Sequence, residues 1–435
     1  MTAQSDSTSR RVVITGMGVI APNGCDLDTF WANCRDGKSG VARITDFDVS
    51  EFTSQVAGIV PDFDPARHGI PVEQHDTLDR YALFALAAAD QAIKQAGIEQ
   101  APLDHDRLGV CIATAIAGTK YMEEEFLRRT NGGRDAFQGG TPDPVLTANV
   151  GFHPASSEVA RRIGARGPVH TLATGCTAGL DALAQAKDMI RSGEADVVIA
   201  GATEAPITPI AFAAFDIIGA LANDRNDTPE RASRPYDASR AGFVLGEGCG
   251  LFVMESLDHA LARGATILAE VSGAGSTCNA YHMTNLAPDG IDLHRAMVLA
   301  LADAGLSPDH IDHVNAHGSS TPQNDVNETN AVKRTLGDHA YDIPVCSLKS
   351  IVGHSLAAAN TVEAVAAVLS IVHQEVPPTI NHVTRDPDCD LDYVTEGVRK
   401  ATINHVLKDA SGFSGIHSAV ILSRYPSTQP KGAEQ

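Results

Sequence analysis

Short apolar runs, bounded by Gly, Pro or acidic residues, alternate along this chain with longer segments whose apolar positions fall three and four apart. The short runs predict strands at 12–15, 109–114, 169–174 and 197–201, and the longer period predicts a helix over 79–96. The same order returns downstream. A strand at 267–271 echoes the first, a helix at 293–304 echoes 79–96, and strands at 313–316 and 345–348 echo the next two. ADAGLSPDHIDHVNAHG parallels KQAGIEQAPLDHDRLGVCIATA in layout. Alternating strands and helices define an α/β fold, and the repeated order divides it into two similar halves joined near 255–265. In the first half, 168–174 reads as a buried strand. A helical pattern follows, with Leu180, Leu183, Ala184 and Ile190 apolar and Gly193 as its stop. PVCSLKSIVGHSLAAANTVEAVAAVLSI repeats this strand-then-helix layout.

Composition narrows the class. The chain has 435 residues, 43% hydrophobic and 20% charged, enough for a large core in two domains or a fused pair. Aromatics are sparse and Ala and Gly abundant, which suits helices packed tightly on a sheet. A formal net charge of −21 argues against nucleic acid as a partner. It also repels an acidic carrier at long range, so such a partner needs a local basic patch. Arg225, Arg231, Arg234 and Arg240 in DRNDTPERASRPYDASR offer one, although the same run reads equally as a solvated loop. Eight cysteines without CxxC pairs point to reduced thiols in a cytoplasmic setting. The polar start MTAQSDSTSRR precedes VVITGMGVIAP, which reads as a first strand and not a signal peptide. No stretch reads as a membrane span. PSTQPKGAEQ reads as a loose tail.

The chemistry concentrates at three residues. Cys176 falls at the start of the helix after 168–174, where free N–H groups and the helix dipole favour a thiolate and a developing oxyanion. His317, in HVNAHGSST, falls at a strand end. His354 occupies the corresponding place in the second strand-then-helix segment. A thiol with two imidazoles suits nucleophilic chemistry on a thioester. The other seven cysteines read as small buried hydrophobes. Lys349 and Glu363 are placed to support the histidines. Asp325 and Glu328 orient the His317 loop or cap the next helix. His310, His313 and His317 invite a metal reading, but IDHVNA is strand-like, HExxH is absent and no carboxylate is suitably placed, so no metal is expected. GMGVIAPNG lacks the dinucleotide GxGxxG, and TGCTAG is not the hydrolase GxSxG. Gly412 and Gly415 flank Phe413 in a tight turn.

These residues lie in motifs that resemble the β-ketoacyl synthases of the thiolase superfamily. The motifs are VVITGMGVIAPNG, TGCTAGLDAL, SRPYDASRAGFVLGEGCG, NAYHMT, NAHGSSTPQND, SLKSIVGHSLAAA and SGFSG, spanning 10–425. GATEAPITPI, CNAYHMTNLAPDG, the QND-x-x-E stretch and DPDCDLDYV resemble the ketosynthase α subunit of type II polyketide synthases more than housekeeping β-ketoacyl-ACP synthase II. The resemblance implies a duplicated α-β-α-β-α fold, with a nucleophile half at 1–258, a histidine half at 259–425 and a tail at 426–435. It implies decarboxylative Claisen condensation of an acyl thioester with malonyl-ACP. Cys176 would accept the acyl group, His317 and His354 would promote decarboxylation and condensation, and Lys349 and Glu363 would support them. Phe413 would gate the pocket, its N–H completing an oxyanion hole. Ser319, Thr321 and Thr284 would contact phosphopantetheine, Ile116 would line the acyl pocket, and Arg225 and Arg231 would help dock the carrier. No bound cofactor is implied, since substrates arrive on ACP. The expected partners are the carrier protein and a related chain-length subunit, with self-association as the fallback. A housekeeping fatty-acid synthase, a chain-length subunit lacking the nucleophile, a thiolase-like condenser and a binding scaffold are the alternatives; Cys176 with both histidines disfavours the second and last. The chain departs from the family pattern in HGSST for HGTGT, GHSLAAAN for GHSLGAAG, Ser414 for Gly, and the acidic EQHDTLDR where basic residues often occur.

Overall fold

The computed structural model describes residues 10–139 and 144–426. The expected tail therefore lies, apart from Pro426, outside the described residues. Five strands form the first half: β1 (Val12–Ile20), β2 (Leu108–Ala113), β3 (Val169–Leu172), β4 (Val197–Glu204) and β5 (Gly248–Ser256). Five more form the second: β6 (Ala269–Cys278), β7 (His313–Asn315), β8 (Val345–Cys346), β9 (His405–Ser411) and β10 (Ile416–Ser423). Their order in space is β8-β7-β9-β10-β6-β1-β5-β4-β2-β3.

The duplication is explicit in this order. From β1 outward, the first half runs antiparallel to β5, antiparallel to β4, parallel to β2 and parallel to β3. From β6 outward, the second half runs antiparallel to β10, antiparallel to β9, parallel to β7 and parallel to β8. The halves meet through two residue pairs, Val13 with Glu270 and Ile14 with Ala269.

Helices α1 (Arg80–Ala96), α2 (Ala178–Arg191), α3 (Ile291–Ala304), α4 (Pro322–Leu336) and α5 (Leu356–His373) complete the layers. Helix α1 covers β1 and β5 from outside, and α3 covers β6 and β10. Helices α2 and α5 lie between the two halves of the sheet and touch strands of both. This is the expected α-β-α-β-α thiolase-like fold. Glycine and alanine make the outer layers close. A Cβ on Gly18 of β1 would sit 1.9 Å from the Ala88 carbonyl of α1, and one on Gly275 of β6 would sit 2.4 Å from the Ala296 carbonyl of α3. The same contact is thus built twice.

Two expectations need correction. The 168–174 run is not a buried strand: β3 is the last strand in the order, and Val169 is 43% exposed. One edge of β3 has no neighbour among the described residues, which no apolar run can reveal. Nor is the chain without a span-like stretch. Helix α5 is apolar and long enough to cross a membrane by composition, but 89% of that window is packed inside the protein. A helix between the two halves of the sheet meets mostly apolar neighbours, so its composition is largely apolar, with Asn360 and Glu363 among its polar exceptions.

Gly18→Val forces a branched side chain into the Ala88 backbone. Chemical denaturation should show a loss of about 3 kcal/mol or more; an unchanged midpoint would show that α1 shifts freely away from β1.

Candidate active site

Chain order within each half brings the site together. Strand β3 runs into the turn Gly175–Thr177 and then α2, while β8 runs through Lys349–Val352 to His354 and α5. The two central helices therefore deliver Cys176 and His354 to one place. His317 follows β7 and completes the group. All three line a cavity of about 260 Å3 with Phe413, Ser319, Thr321 and Thr284.

The Cys176 turn is held from below. Gly175 takes a φ of +64°, and the hydroxyls of Thr174 and Thr177 both donate to Asp181 on α2. Asp181 also accepts from Ser418 of β10, which fastens the turn to the other half. The Phe413 N–H points at the thiol and pulls its pKa down, as does Lys349, but burial is the larger effect and pushes Cys176 up to about 11. The turn's amide and Lys349 favour the thiolate, as expected, but desolvation outweighs them and the thiol is the resting form at neutral pH.

The imidazoles of His317 and His354 stand 5.2 Å apart, centroid to centroid, and nearly perpendicular at 85°. Burial, reinforced by Lys349 and Lys408, holds both well below the usual histidine range, so both are neutral at physiological pH. His317 is fixed through its backbone. Its N–H donates to Glu328 at 2.5 Å and to Asp409 at 2.8 Å, and its carbonyl accepts from Lys349 Nζ at 2.7 Å. Lys349 Nζ also donates to Glu363 Oε1 at 2.7 Å, and Lys408 Nζ lies 2.9 Å from Glu363 Oε2. All three side chains are buried. Asp325 accepts from Ser320 N–H and Tyr236 N–H, while Thr321 caps α4. Asp325 and Glu328 therefore orient the His317 loop.

Phe413 packs against Phe215, and Phe215 against Phe243, whose ring lies 5.2 Å from His354. Ser414 has a φ of +68° and Ser320 a φ of +69°. Both serines replace glycines of the resembled motifs, so the left-handed backbone persists without the residue that adopts it most easily, costing about 1–2 kcal/mol each. Ile116 joins the apolar cluster that contains Cys176 and Phe413. Its turn is tied down by Glu204, which accepts from Ala115 N–H, Ile116 N–H and the Thr114 hydroxyl. Burial raises Glu204 to about 7. Ser319 and Thr321 share a hydrogen bond at 2.9 Å, and Thr284 sits half-exposed at the cavity mouth.

The four-arginine patch does not form. Arg234 is buried on Asp224, and Arg240 on Asp386. Arg225 lies against Asp224, and only Arg231 is fully exposed. The three-histidine motif does not converge either: His313 bonds the Pro344 carbonyl inside the core, while His310 bonds Ser307 at the surface. Among the described residues, no three His, Cys, Asp or Glu side chains gather as a metal site.

Sequence reading missed Lys408, Asp409, Asp181, Glu204 and Asn360. Lys408 and Asp409 had a signal, since a charged pair interrupts the apolar run of β9. The others lie on elements whose facing neighbours come from distant segments.

A half-buried thiol in the turn that starts a central helix, sharing one cavity with two neutral imidazoles, matches a condensing site of the thiolase fold. Residues 9–260 match the N-terminal domain of β-ketoacyl synthases and residues 268–383 the C-terminal domain. The chain belongs to the β-ketoacyl synthase family. The tetracenomycin polyketide synthase ketoacyl synthase alpha subunit of Streptomyces glaucescens is 44% identical over 422 residues, 97% of this chain and 98% of that protein. The structure superposes with a TM-score of 0.89 on a type II polyketide ketosynthase, AntDE, solved with its acyl-carrier protein AntF; identity is 43% over 96% of this chain and all of that one. It superposes at 0.86 on the ishigamide ketosynthase/chain length factor, with 36% identity and coverage of 96% and 100%. Within its family the chain is of the ketosynthase α type found in type II polyketide synthases.

Alkylation of Cys176 in the free protein should be slow at neutral pH and rise with pH up to about 11, since the raised pKa leaves little thiolate below it. Lys349→Met should slow it further by removing the cation that lowers this pKa. A rate already maximal at pH 7 would contradict the assignment.

Proposed function

We propose that Cys176, His317 and His354 divide the half-reactions of a decarboxylative Claisen condensation, the reaction of a β-ketoacyl-[acyl-carrier-protein] synthase in polyketide biosynthesis. The observation that carries this division is the convergence of one thiol and two neutral imidazoles in a single cavity. Cys176 sulfur attacks the acyl thioester, and its proton leaves with the departing pantetheine thiol. The N–H groups of Cys176 and Phe413 hold the oxyanion. Malonyl-carrier then enters past Phe413, with Thr284, Ser319 and Thr321 along its phosphopantetheine. The carbon–carbon bond to the carboxylate breaks and CO₂ leaves. The electron pair becomes an enolate whose oxygen the two imidazoles stabilise. Its carbon attacks the acyl carbon, the bond to Cys176 sulfur breaks, and the thiol is restored by a proton. Lys349 and Glu363 hold His317 in place, and Ile116 lines the acyl pocket.

Carrier docking in this reading uses Arg225 and Arg231, the surface members of the arginine run, because Glu73 and Asp76 of EQHDTLDR offer an acidic carrier nothing. The halves divide at 258/259, between β5 and β6. A cytoplasmic setting fits eight free cysteines. A second subunit of related fold fits the free edge of β3. Val169 on that edge is exposed, as are Phe126 (51%), Phe137 (54%) and Phe152 (45%) elsewhere on the surface, on a chain rich in buried apolar residues. The ishigamide structure pairs a ketosynthase with a chain length factor, and we assign this face to such a subunit, with a second copy of this chain as the fallback.

Acyl-carrier incubation followed by peptide mapping should place the acyl mass on the peptide containing Cys176, and Cys176→Ala should abolish transfer. His317→Ala and His354→Ala should keep measurable acylation yet lose about 100-fold or more of condensation. A variant that elongates at the native rate removes that histidine from the account.

Co-expression with a homologue lacking the nucleophile should yield a heterodimer by native mass spectrometry. Phe152→Asp should weaken it. An active homodimer would overturn the heterodimer, and an active monomer would overturn both forms.

A further inference from the structure

Asn360 stands in GHSLAAAN at a position where the family often has glycine. It lies on α5 one turn before Glu363, so the two side chains emerge on the same face. Asn360 is fully buried. Its Nδ2 donates to the backbone carbonyl of Cys176. The same side chain lies beside His317, where it favours the protonated imidazole. Asn360 Oδ1 and His317 Nδ1 are both buried without a hydrogen-bond partner. A buried amide oxygen without a partner is costly, so this one is aimed at something. One planar group therefore spans from the turn that carries the acyl chain to the ring that handles malonyl-carrier.

We infer that Asn360 is a positioning residue that sets the His317 ring relative to the Cys176 turn, and so fixes the reach between the enolate and the acyl carbon. The inference rests on the condensing reading above. Bond formation demands that the two carbons meet within a fraction of an ångström. Lys349, Glu328 and Asp409 fix only the His317 backbone. Nothing else among the described residues ties its ring to the nucleophile turn. A glycine at this position cannot make the link, whereas an amide reaches both.

The test uses the full-length protein with its partner subunit, an acyl-carrier and malonyl-carrier. Acylation of Cys176, CO₂ release and condensation are followed separately for wild type, Asn360→Ala, Asn360→Gly and Asn360→Asp. In Asn360→Ala and Asn360→Gly, kcat for condensation should fall about tenfold to 100-fold with little change in KM for malonyl-carrier. Acylation should fall clearly less. Asn360→Asp replaces the donor with a carboxylate beside His317. The groups already facing that ring or its backbone are Lys349, Lys408, His354, Glu328 and Asp409. The added negative charge favours imidazolium, so the acid limb of the condensation profile should move to higher pH. Glycine is the family's residue here and Asp is nearly isosteric, so at least these two variants should fold, as thermal melting will check. Wild-type condensation in Asn360→Ala and Asn360→Gly overturns the inference. So does an equal loss of acylation and condensation with an unmoved pH profile. A wild-type protein that neither acylates Cys176 nor releases CO₂ overturns the condensing reading itself, and this inference with it.

Discussion

One carboxylate, Glu363, sits fully buried on the central helix α5 between two buried ammonium groups. Lys349 runs from it to the His317 carbonyl. Lys408 runs from it to the backbone carbonyls of Asp409 and Ala316, immediately before His317. Asp409 in turn accepts from the His317 N–H. A single negative charge therefore holds two cations where they grip the catalytic loop, and removing it would leave both uncompensated in the interior, a loss of about 3–5 kcal/mol. The arrangement also sets the electrostatics. Two cations near the imidazoles make a third positive charge unfavourable, so both rings stay neutral. The same Lys349 partly relieves the desolvated thiol of Cys176.

Neutral groups suit a two-stage reaction. A permanently ionised cysteine would be open to alkylation and oxidation between turnovers. In the proposed reaction the half-buried thiol of Cys176 attacks when a thioester arrives, and the amides of Cys176 and Phe413 take up the charge that develops. Neutral imidazoles donate hydrogen bonds to an enolate without binding the malonyl carboxylate as cations would. A cation there would stabilise the carboxylate that must leave, in the ground state as much as in the transition state. The polar residues that look most out of place in the core, Lys349, Lys408 and Asp409, thus create the environment that the proposed reaction requires.

The duplication explains why one site forms at the centre. Each half ends a parallel strand pair with a turn and a helix that packs inward. Because α2 and α5 share the central layer, their starts converge, one bearing Cys176 and the other following His354. The outer faces are sealed twice by the same glycine–alanine approach, at Gly18 with Ala88 and at Gly275 with Ala296. The two halves differ at their outer edges. The edge strand β3 leaves a free side with exposed Val169, while its counterpart β8 is covered by the 389–395 segment, with Val345 N–H donating to the Asp392 carbonyl.

The amino-acid sequence by itself determined the period of many major elements, though not of β5, β9 or α4, together with the doubling of their order and the candidacy of Cys176, His317 and His354, because these are local patterns of apolar spacing and motif. Asp325 and Glu328 were legible as supporting groups because they follow His317 within about three helical turns, and Lys349 and Glu363 because they flank His354, although the structure aims Lys349 at His317. Tertiary structure alone decided the rest. The raised pKa of Cys176 is a sum over burial and charges from distant segments, and no local motif contains it. The dissolution of the arginine patch depended on folding as well, which buries Arg234 on Asp224 and brings Asp386, more than a hundred residues away, to Arg240. The exposed edge of β3 and the membrane-like composition of a helix that is wholly internal both depend on what lies beside an element. The place of Asn360 between Cys176 and His317 was equally hidden, because three segments far apart in the chain become neighbours only when the two halves close on their shared helices.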